Sequence, residues 1–117
     1  MYILLNRDWG GFEFNENFSK KYGIARLLSD SGRADPDIIR AVLEYGIDNV
    51  NSSFSKIRLY WIPDDNTDYD INNYDGMESI VYVQNGKLRY DAKEIKDEDL
   101  GSVIIWHGEN QNSKKRK

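Results

Sequence analysis

The stretch that decides the fold is Ser79-Ile80-Val81-Tyr82-Val83-Gln84-Asn85-Gly86-Lys87-Leu88-Arg89-Tyr90. At its centre, Asn85-Gly86 is the favoured pair for a two-residue type I′ turn between antiparallel strands. The turn sets a register in which Gln84 faces Lys87 and Val83 faces Leu88, so the pattern predicts a β-hairpin. Alternation predicts an apolar face, expected to be buried, and a polar face. The apolar face comprises Val81, Val83, Leu88 and Tyr90, and the polar face comprises Tyr82, Gln84, Lys87 and Arg89.

Three further segments predict strands. The continuous apolar run Tyr2-Ile3-Leu4-Leu5 predicts a buried strand over residues 2–7. Residues 56–62 alternate, and Pro63 ends that strand because proline lacks a backbone donor. Residues 103–106 predict a last strand, and the charged residues 92–101 before it predict a helical turn or loop.

Two segments predict helices. Asp35-Pro36 is a strong start, because Asp is a good N-cap and Pro is preorganised at the first helical position. Residues 36–45 then carry an apolar face, and Gly46 ends the helix. A shorter helix is expected between Asn15, as its cap, and Gly23, as its stop.

Composition and length indicate one domain. The chain has 117 residues, of which 39% are hydrophobic, which is enough for a core. Strands dominate and helices lie between them, so the expected class is α+β, a small mostly antiparallel sheet with two helices. The expected domain spans residues 1–110, followed by a disordered basic tail at 111–117. The absence of cysteine excludes disulfides, thiolate metal sites and cysteine nucleophiles.

The charge distribution is uneven. The formal net charge is −4, and residues 114–117 alone carry four positive charges, so residues 1–113 carry about −8. A broad nucleic-acid-binding face is not expected, because neutralising phosphates requires a basic footprint. No apolar run approaches the roughly 20 residues that span a bilayer, and no basic leader precedes the first strand, so an intracellular protein without membrane contact is expected.

The segment after the first strand is a candidate ligand site. It reads Asn6-Arg7-Asp8-Trp9-Gly10-Gly11-Phe12. Consecutive glycines let a backbone approach a ligand closely, and the guanidinium of Arg7, with that of Arg33, suits a phosphate. Trp9 or Phe12 would stack on a base, and the Asn and Asp side chains would contact polar edges. The alternative is a sharp turn with a tryptophan in the core.

An acidic segment at residues 64–78 is a candidate partner site, interpreted as a loop. Six carboxylates fall within it, and no Lys or Arg occurs between Arg58 and Lys87. The spacing does not match an EF-hand, so no metal is expected. Carboxylates beside tyrosines suit a protein interface, and the alternative is a solvated acidic loop. The candidate contacts are Asp68, Tyr69, Asp70, Tyr74 and Asp75.

Three stretches in order resemble a family of small uncharacterised proteins from tailed phages and prophages. They are Leu5-Asn6-Arg7 to Gly10-Gly11-Phe12, Arg33-Ala34-Asp35-Pro36-Asp37-Ile38, and Ile62-Pro63-Asp64-Asp65 to Tyr74-Asp75-Gly76. The likeness stops near Ile80 and carries no activity. It implies a phage accessory protein acting in the cytoplasm of the host bacterium.

The sequence predicts a binding protein rather than an enzyme. His107 is the single histidine, which weakens any nucleophile–His–acid arrangement, and no cofactor is expected. The leading hypothesis is a phage counter-defence protein that sequesters a small nucleotide-type signal, with a homo-oligomer enclosing the pocket. The alternative is an inhibitor of a host defence enzyme or nuclease that docks through segment 64–78. A hydrolase acting through Asp or Glu is a third option.

Overall fold

A computed structural model describes residues 1–63 and 68–101. The predicted strand at 103–106, the tail at 111–117 and His107 lie outside the described residues. The elements, in chain order, are β1 (Tyr2–Asn6), α1 (Glu16–Tyr22), α2 (Pro36–Tyr45), β2 (Ile57–Trp61), β3 (Tyr69–Tyr74), β4 (Met77–Gln84), β5 (Lys87–Arg89) and β6 (Lys93–Glu94). Short 3₁₀ turns occupy Ser31–Ala34, Ile47–Asn49 and Asp97–Asp99.

The described strands form two antiparallel sheets. Together with the two helices, they confirm the α+β class, although one sheet was expected rather than two. The first sheet has the strand order β1-β2-β6, and the second sheet has the order β3-β4-β5. The first sheet lies between the helices and the second sheet, because apolar side chains leave both faces of β1. Leu4 joins the core with the helices, whereas Ile3 and Leu5 join a core with the second sheet.

Both predicted helices are confirmed at their caps. The side chain of Asn15 accepts a hydrogen bond from the backbone N–H of Phe18 (2.8 Å), and Gly23 ends α1 in the left-handed conformation at φ 66°. The side chain of Asp35 accepts from the backbone N–H of Asp37 (2.9 Å) at the start of α2. These caps satisfy helix-end donors that would otherwise lack partners.

The helices and the first sheet share a core rich in aromatic rings. Phe14 and Phe18 are fully buried with ring centroids 4.7 Å apart. Val42 from α2 and Leu59 from β2 close this core. The helices therefore pack against one face of the first sheet.

The hairpin has the predicted register, but the prediction of its buried face is wrong. Gln84 pairs with Lys87, and Val83 pairs with Leu88. The face that points toward β1 carries Ile80 and Tyr82, each 5% exposed, whereas Leu88 is 62% exposed. Tyr82 tolerates burial because its hydroxyl donates to the carboxylate of Asp91 (2.6 Å) at the edge of the sheet.

The described part of the acidic segment is a strand and a turn, not a loop. β3 pairs with β4 from Tyr69 opposite Tyr82 to Tyr74 opposite Met77. The connecting turn is Asp75-Gly76, whose φ angles of 52° and 93° match the positive values of a type I′ hairpin. Asp64 and Asp65 lie outside the described residues.

Candidate functional site

Two turns of the chain pack directly against each other. A Cβ atom at Gly76 would overlap the carbonyl oxygen of Trp9 and lie 2.5 Å from the backbone nitrogen of Gly11. A Cβ atom at Gly10 would overlap Phe54 in the same way. The glycines at 10 and 76 therefore permit close contact between parts of this chain. They also bring the two candidate segments, near Trp9 and near Tyr74, into one surface.

Asn6 connects these two turns through hydrogen bonds. It is fully buried, and its side-chain nitrogen donates to the carbonyl oxygens of Asp8 and Gly76, both at 2.7 Å. Its side-chain oxygen accepts from the backbone N–H of Lys56 (2.8 Å), and its own backbone N–H donates to the carboxylate of Glu78 (2.7 Å). Both donors and the acceptor of the amide are used inside the protein, so Asn6 holds the turns in place.

Arg33 lies in the interior beside Asn6. Its two terminal nitrogens donate to the two carboxylate oxygens of Glu78 at 2.5 and 2.7 Å, and its guanidinium stacks on the ring of Phe12 at 3.7 Å. Arg33 is 5% exposed and Glu78 is 3% exposed. A buried charge requires a paired, hydrogen-bonded partner, and this bidentate pair provides one. The carboxylate of Glu78 occupies the position that a phosphate was predicted to take.

Arg7 contacts β4 and lines a depression of mixed charge. Its guanidinium donates to the backbone carbonyl of Glu78, and it is partly buried. It lines a depression of about 320 Å³ together with Arg58, Lys56 and three carboxylates, from Asp48, Glu94 and Asp97. Arg58 is itself paired with Asp97 at 2.8 Å. Positive and negative charges are mixed here, so this depression does not form a dedicated anion site.

Exposed aromatic rings surround the joined turns. Trp9 is 56% exposed, Phe54 is 62% exposed and Tyr74 is 73% exposed. The rings of Trp9 and Tyr74 meet edge to face, with centroids 6.0 Å apart. Exposed large aromatic residues held in place are typical of binding surfaces. We call this region the junction surface; its members are Asp8, Trp9, Phe54, Tyr74 and Asp75.

Phe54 was not predicted from the sequence as a site residue. The other members of this surface were assigned to two separate candidate sites. Phe54 stands in a serine-rich stretch without periodicity, so no pattern predicts its exposure. A local turn presents it: its backbone N–H donates to the hydroxyl of Ser52 (3.1 Å), and the hydroxyl of Ser55 donates to the carbonyl of Glu13 (2.6 Å). Contacts of this kind depend on the fold as a whole.

The predicted partner contacts do not all lie on one face, because side chains alternate between the two faces of a strand. Tyr69 lies on the inner face of β3, toward the first sheet, and burial raises the pKa of its phenol. Asp68 and Asp70 are exposed, and Asp70 lies opposite Val81 on the outer face. Tyr74 and Asp75 lie at the turn, within the junction surface.

Tyr60 packs against the core between the sheets, and the pKa of its phenol is raised. Burial and the hydrogen bond from its hydroxyl to Glu94 (2.9 Å) raise the pKa of Tyr60 to about 12. The hydrogen bond to Asp91 and burial raise the pKa of Tyr82 as well. Both tyrosines pack in the core between the two sheets.

Comparison with protein-family models, curated proteins and solved structures finds no match to this chain. Within residues 1–63 and 68–101, no helix has the length and hydropathy needed to cross a membrane. In the same part of the chain, no three His, Cys, Asp or Glu side chains are grouped as metal ligands would be.

Proposed function

We propose that this protein is a non-enzymatic binding protein that docks onto another protein through the junction surface. The observation that carries this proposal is a group of three exposed aromatic rings, with Trp9 and Tyr74 at two interlocked turns and Phe54 on a neighbouring turn. Trp and Tyr dominate the binding energy of protein interfaces when they are presented at little conformational cost. Here the network around Asn6 and the contact of Gly76 with the Trp9 backbone hold them in place.

The contacts favour a protein partner over a nucleotide. Sequestration of a nucleotide-type signal was predicted to use Arg7 and Arg33 for phosphate and Asn6 or Asp8 for polar recognition. Arg7 donates to the backbone carbonyl of Glu78. Arg33 is paired with Glu78, and the amide of Asn6 is saturated by backbone groups. Trp9 stays available for stacking, but no cation is found among the residues of the junction surface. A phosphate has little to bind there.

Charge indicates which kind of partner fits. Asp8 and Asp75 flank the rings, and the sequence from 59 to 86 contains no Lys or Arg. An acidic surface steers toward a basic one, such as the nucleic-acid-binding face of a nuclease. Together with the phage resemblance, this makes inhibition of a host defence enzyme in the bacterial cytoplasm the proposed role.

The test is capture of a partner with the full chain and two matched variants. A tagged protein is exposed to a bacterial lysate, the captured protein is identified by mass spectrometry, and its purified form is titrated by calorimetry. Truncating the rings in a Trp9→Ala/Tyr74→Ala variant should weaken binding at least about 30-fold, as expected for a hot spot of about 2 kcal/mol. Leu27→Ala, which truncates an exposed apolar residue outside the junction surface, is the control and should bind normally.

Two outcomes would contradict the proposal. One is a partner whose affinity is equal for wild type and the double variant. The other is a bound mass of a few hundred daltons, detected by native mass spectrometry and lost in Arg7→Ala, which would favour sequestration of a nucleotide-type signal instead.

A further inference from the structure

The outer face of the second sheet is uncovered among the described residues. Ile80 and Tyr82 on the inner face pack against β1, but neither core includes Val81, Val83 or Leu88. These three side chains share the outer face through the register of β4 and β5. We define the outer face by Asp68, Asp70, Val81, Val83 and Leu88.

The outer face contains a depression of about 280 Å³. Its lining consists of the five outer-face residues together with Tyr69. The depression crosses the sheet from the carboxylates of β3, over the valines of β4, to Leu88 of β5. It is smaller than a typical pocket of roughly 300–1,000 Å³ for a drug-sized ligand, so it suits a side chain of a larger partner.

The two carboxylates of this face have no counter-charge on it. Asp68 and Asp70 are two residues apart, so their Cα atoms are about 7 Å apart along the chain. Among the described residues, neither carboxylate is hydrogen-bonded or ion-paired. The nearby cations Lys87 and Arg89 alternate to the opposite face of β5, where Arg89 pairs with Asp91 at 2.5 Å.

We propose that the outer face binds a segment of a protein partner in which Lys or Arg side chains alternate with apolar ones. The aliphatic part of a Lys or Arg side chain would pack on Val81, Val83 and Leu88, and its charged end would reach Asp68 and Asp70. This inference rests on the proposed function, because it takes the ligand to be a protein, and it adds the chemistry of the segment recognised.

A second copy of the chain fits this face poorly. A symmetric dimer uses the same patch from both subunits. Two copies of the outer face would bring two pairs of aspartates into one interface with no cation from that face, and burying like charges together is unfavourable. Charge complementarity therefore favours a basic partner.

The test uses a short labelled peptide in which Lys alternates with Val, titrated by fluorescence anisotropy into the full chain. We expect a dissociation constant of about 10–100 μM, a value that rises with salt. Asp68→Asn/Asp70→Asn should weaken binding at least about tenfold, and Leu88→Ser should do the same without changing the charge. The control Glu98→Gln/Asp99→Asn removes the same two negative charges from an exposed 3₁₀ turn and should bind as wild type.

Four results would overturn the inference. Equal weakening in the control pair would indicate general charge attraction. Self-association in sedimentation that Leu88→Ser abolishes would make a second copy the occupant. Tighter binding after Lys114, Lys115, Arg116 and Lys117 are all changed to Gln would make the chain's own basic residues the occupant. Loss of peptide binding in Trp9→Ala/Tyr74→Ala alone would place the peptide on the junction surface, leaving the proposed function intact.

A further outcome separates this inference from the proposed function. If no partner is captured but the peptide still binds at Asp68 and Asp70, only the proposal that the junction surface binds a partner is overturned.

Discussion

The two sheets differ in how their faces are used. The first sheet is covered on both sides, by the helices at Leu4 and Leu59 and by the second sheet at Ile3 and Leu5. The second sheet is covered on its inner face, while its outer face stays open among the described residues. This asymmetry indicates where function is to be sought. The first sheet contributes mainly to stability, whereas the second sheet and the junction surface are the regions that we propose contact a partner.

The largest effect is expected at the buried ion pair between Arg33, in the 3₁₀ turn before α2, and Glu78 of β4. Glu78→Ala leaves Arg33 buried without its carboxylate, which should lower the free energy of unfolding by about 3–5 kcal/mol. Replacing both partners, as Arg33→Met/Glu78→Leu, should recover much of that loss. Urea unfolding measures both variants, and Glu44→Ala, at an exposed pair, is the control and should change little. A small loss in Glu78→Ala would mean that this buried pair contributes little to the stability of the fold.

The covered and open sheets should respond differently to truncation of a leucine. Leu59→Ala in the first sheet creates a cavity and should cost about 2–5 kcal/mol in the free energy of unfolding. Leu88→Ala in the second sheet removes an exposed side chain and should stay within about 0.5 kcal/mol of wild type. Thermal and urea unfolding of the pair test this contrast. Equal losses would show that Leu88 is covered in solution.

The contact between the turns should require glycine at position 76. Gly76→Ala combines a φ of 93° with overlap on the Trp9 backbone, so it should destabilise by about 2–3 kcal/mol and disturb the exposed rings. Gly86→Ala is a matched control, with a φ of 76° and open space around the added methyl, and should cost only about 1 kcal/mol. Urea unfolding curves of the two variants measure this difference. Equal costs would mean that backbone strain alone accounts for the effect.

The smallest effect concerns the interface between the sheets at high pH. The pKa of Tyr60 is raised from 10 to about 12 in the folded protein, so its stabilising contribution is fully present below pH 10. It is lost as the pH rises from 10 to about 12. In Tyr60→Phe, the fall of the unfolding free energy over this range should be shallower, with the remainder from Tyr69 and Tyr82, whose pKa values are also raised. An unchanged slope would contradict burial of the Tyr60 hydroxyl.

Local signals in the sequence predict much of this fold. Asn15, Asp35 and Gly23 act through backbone groups within a few residues, so the helix ends follow from residue type. The Asn85-Gly86 turn sets the hairpin register for the same reason. Which face of the hairpin is buried depends on a strand more than seventy residues away, β1, and both faces carry apolar residues. Alternation alone therefore selected the wrong one.

The candidate site was less predictable because its geometry depends on distant pairs. Arg33 and Glu78 are separated by 45 residues, and each by itself resembles an ordinary surface charge. The contact of Gly76 with Trp9 likewise joins two turns that sequence reasoning treated as separate sites. Trp9, Tyr74 and Asp75 were recognised from residue type, whereas Phe54 had no signal.

The most direct test of the account is an NMR titration of the isotope-labelled full chain with the alternating Lys–Val peptide. We expect chemical-shift changes at Asp68, Asp70, Val83 and Leu88, with the amides of Val42 and Leu59 unaffected. Changes centred on the exposed side of α2, near Arg40 and Glu44, with none on the second sheet, would contradict it.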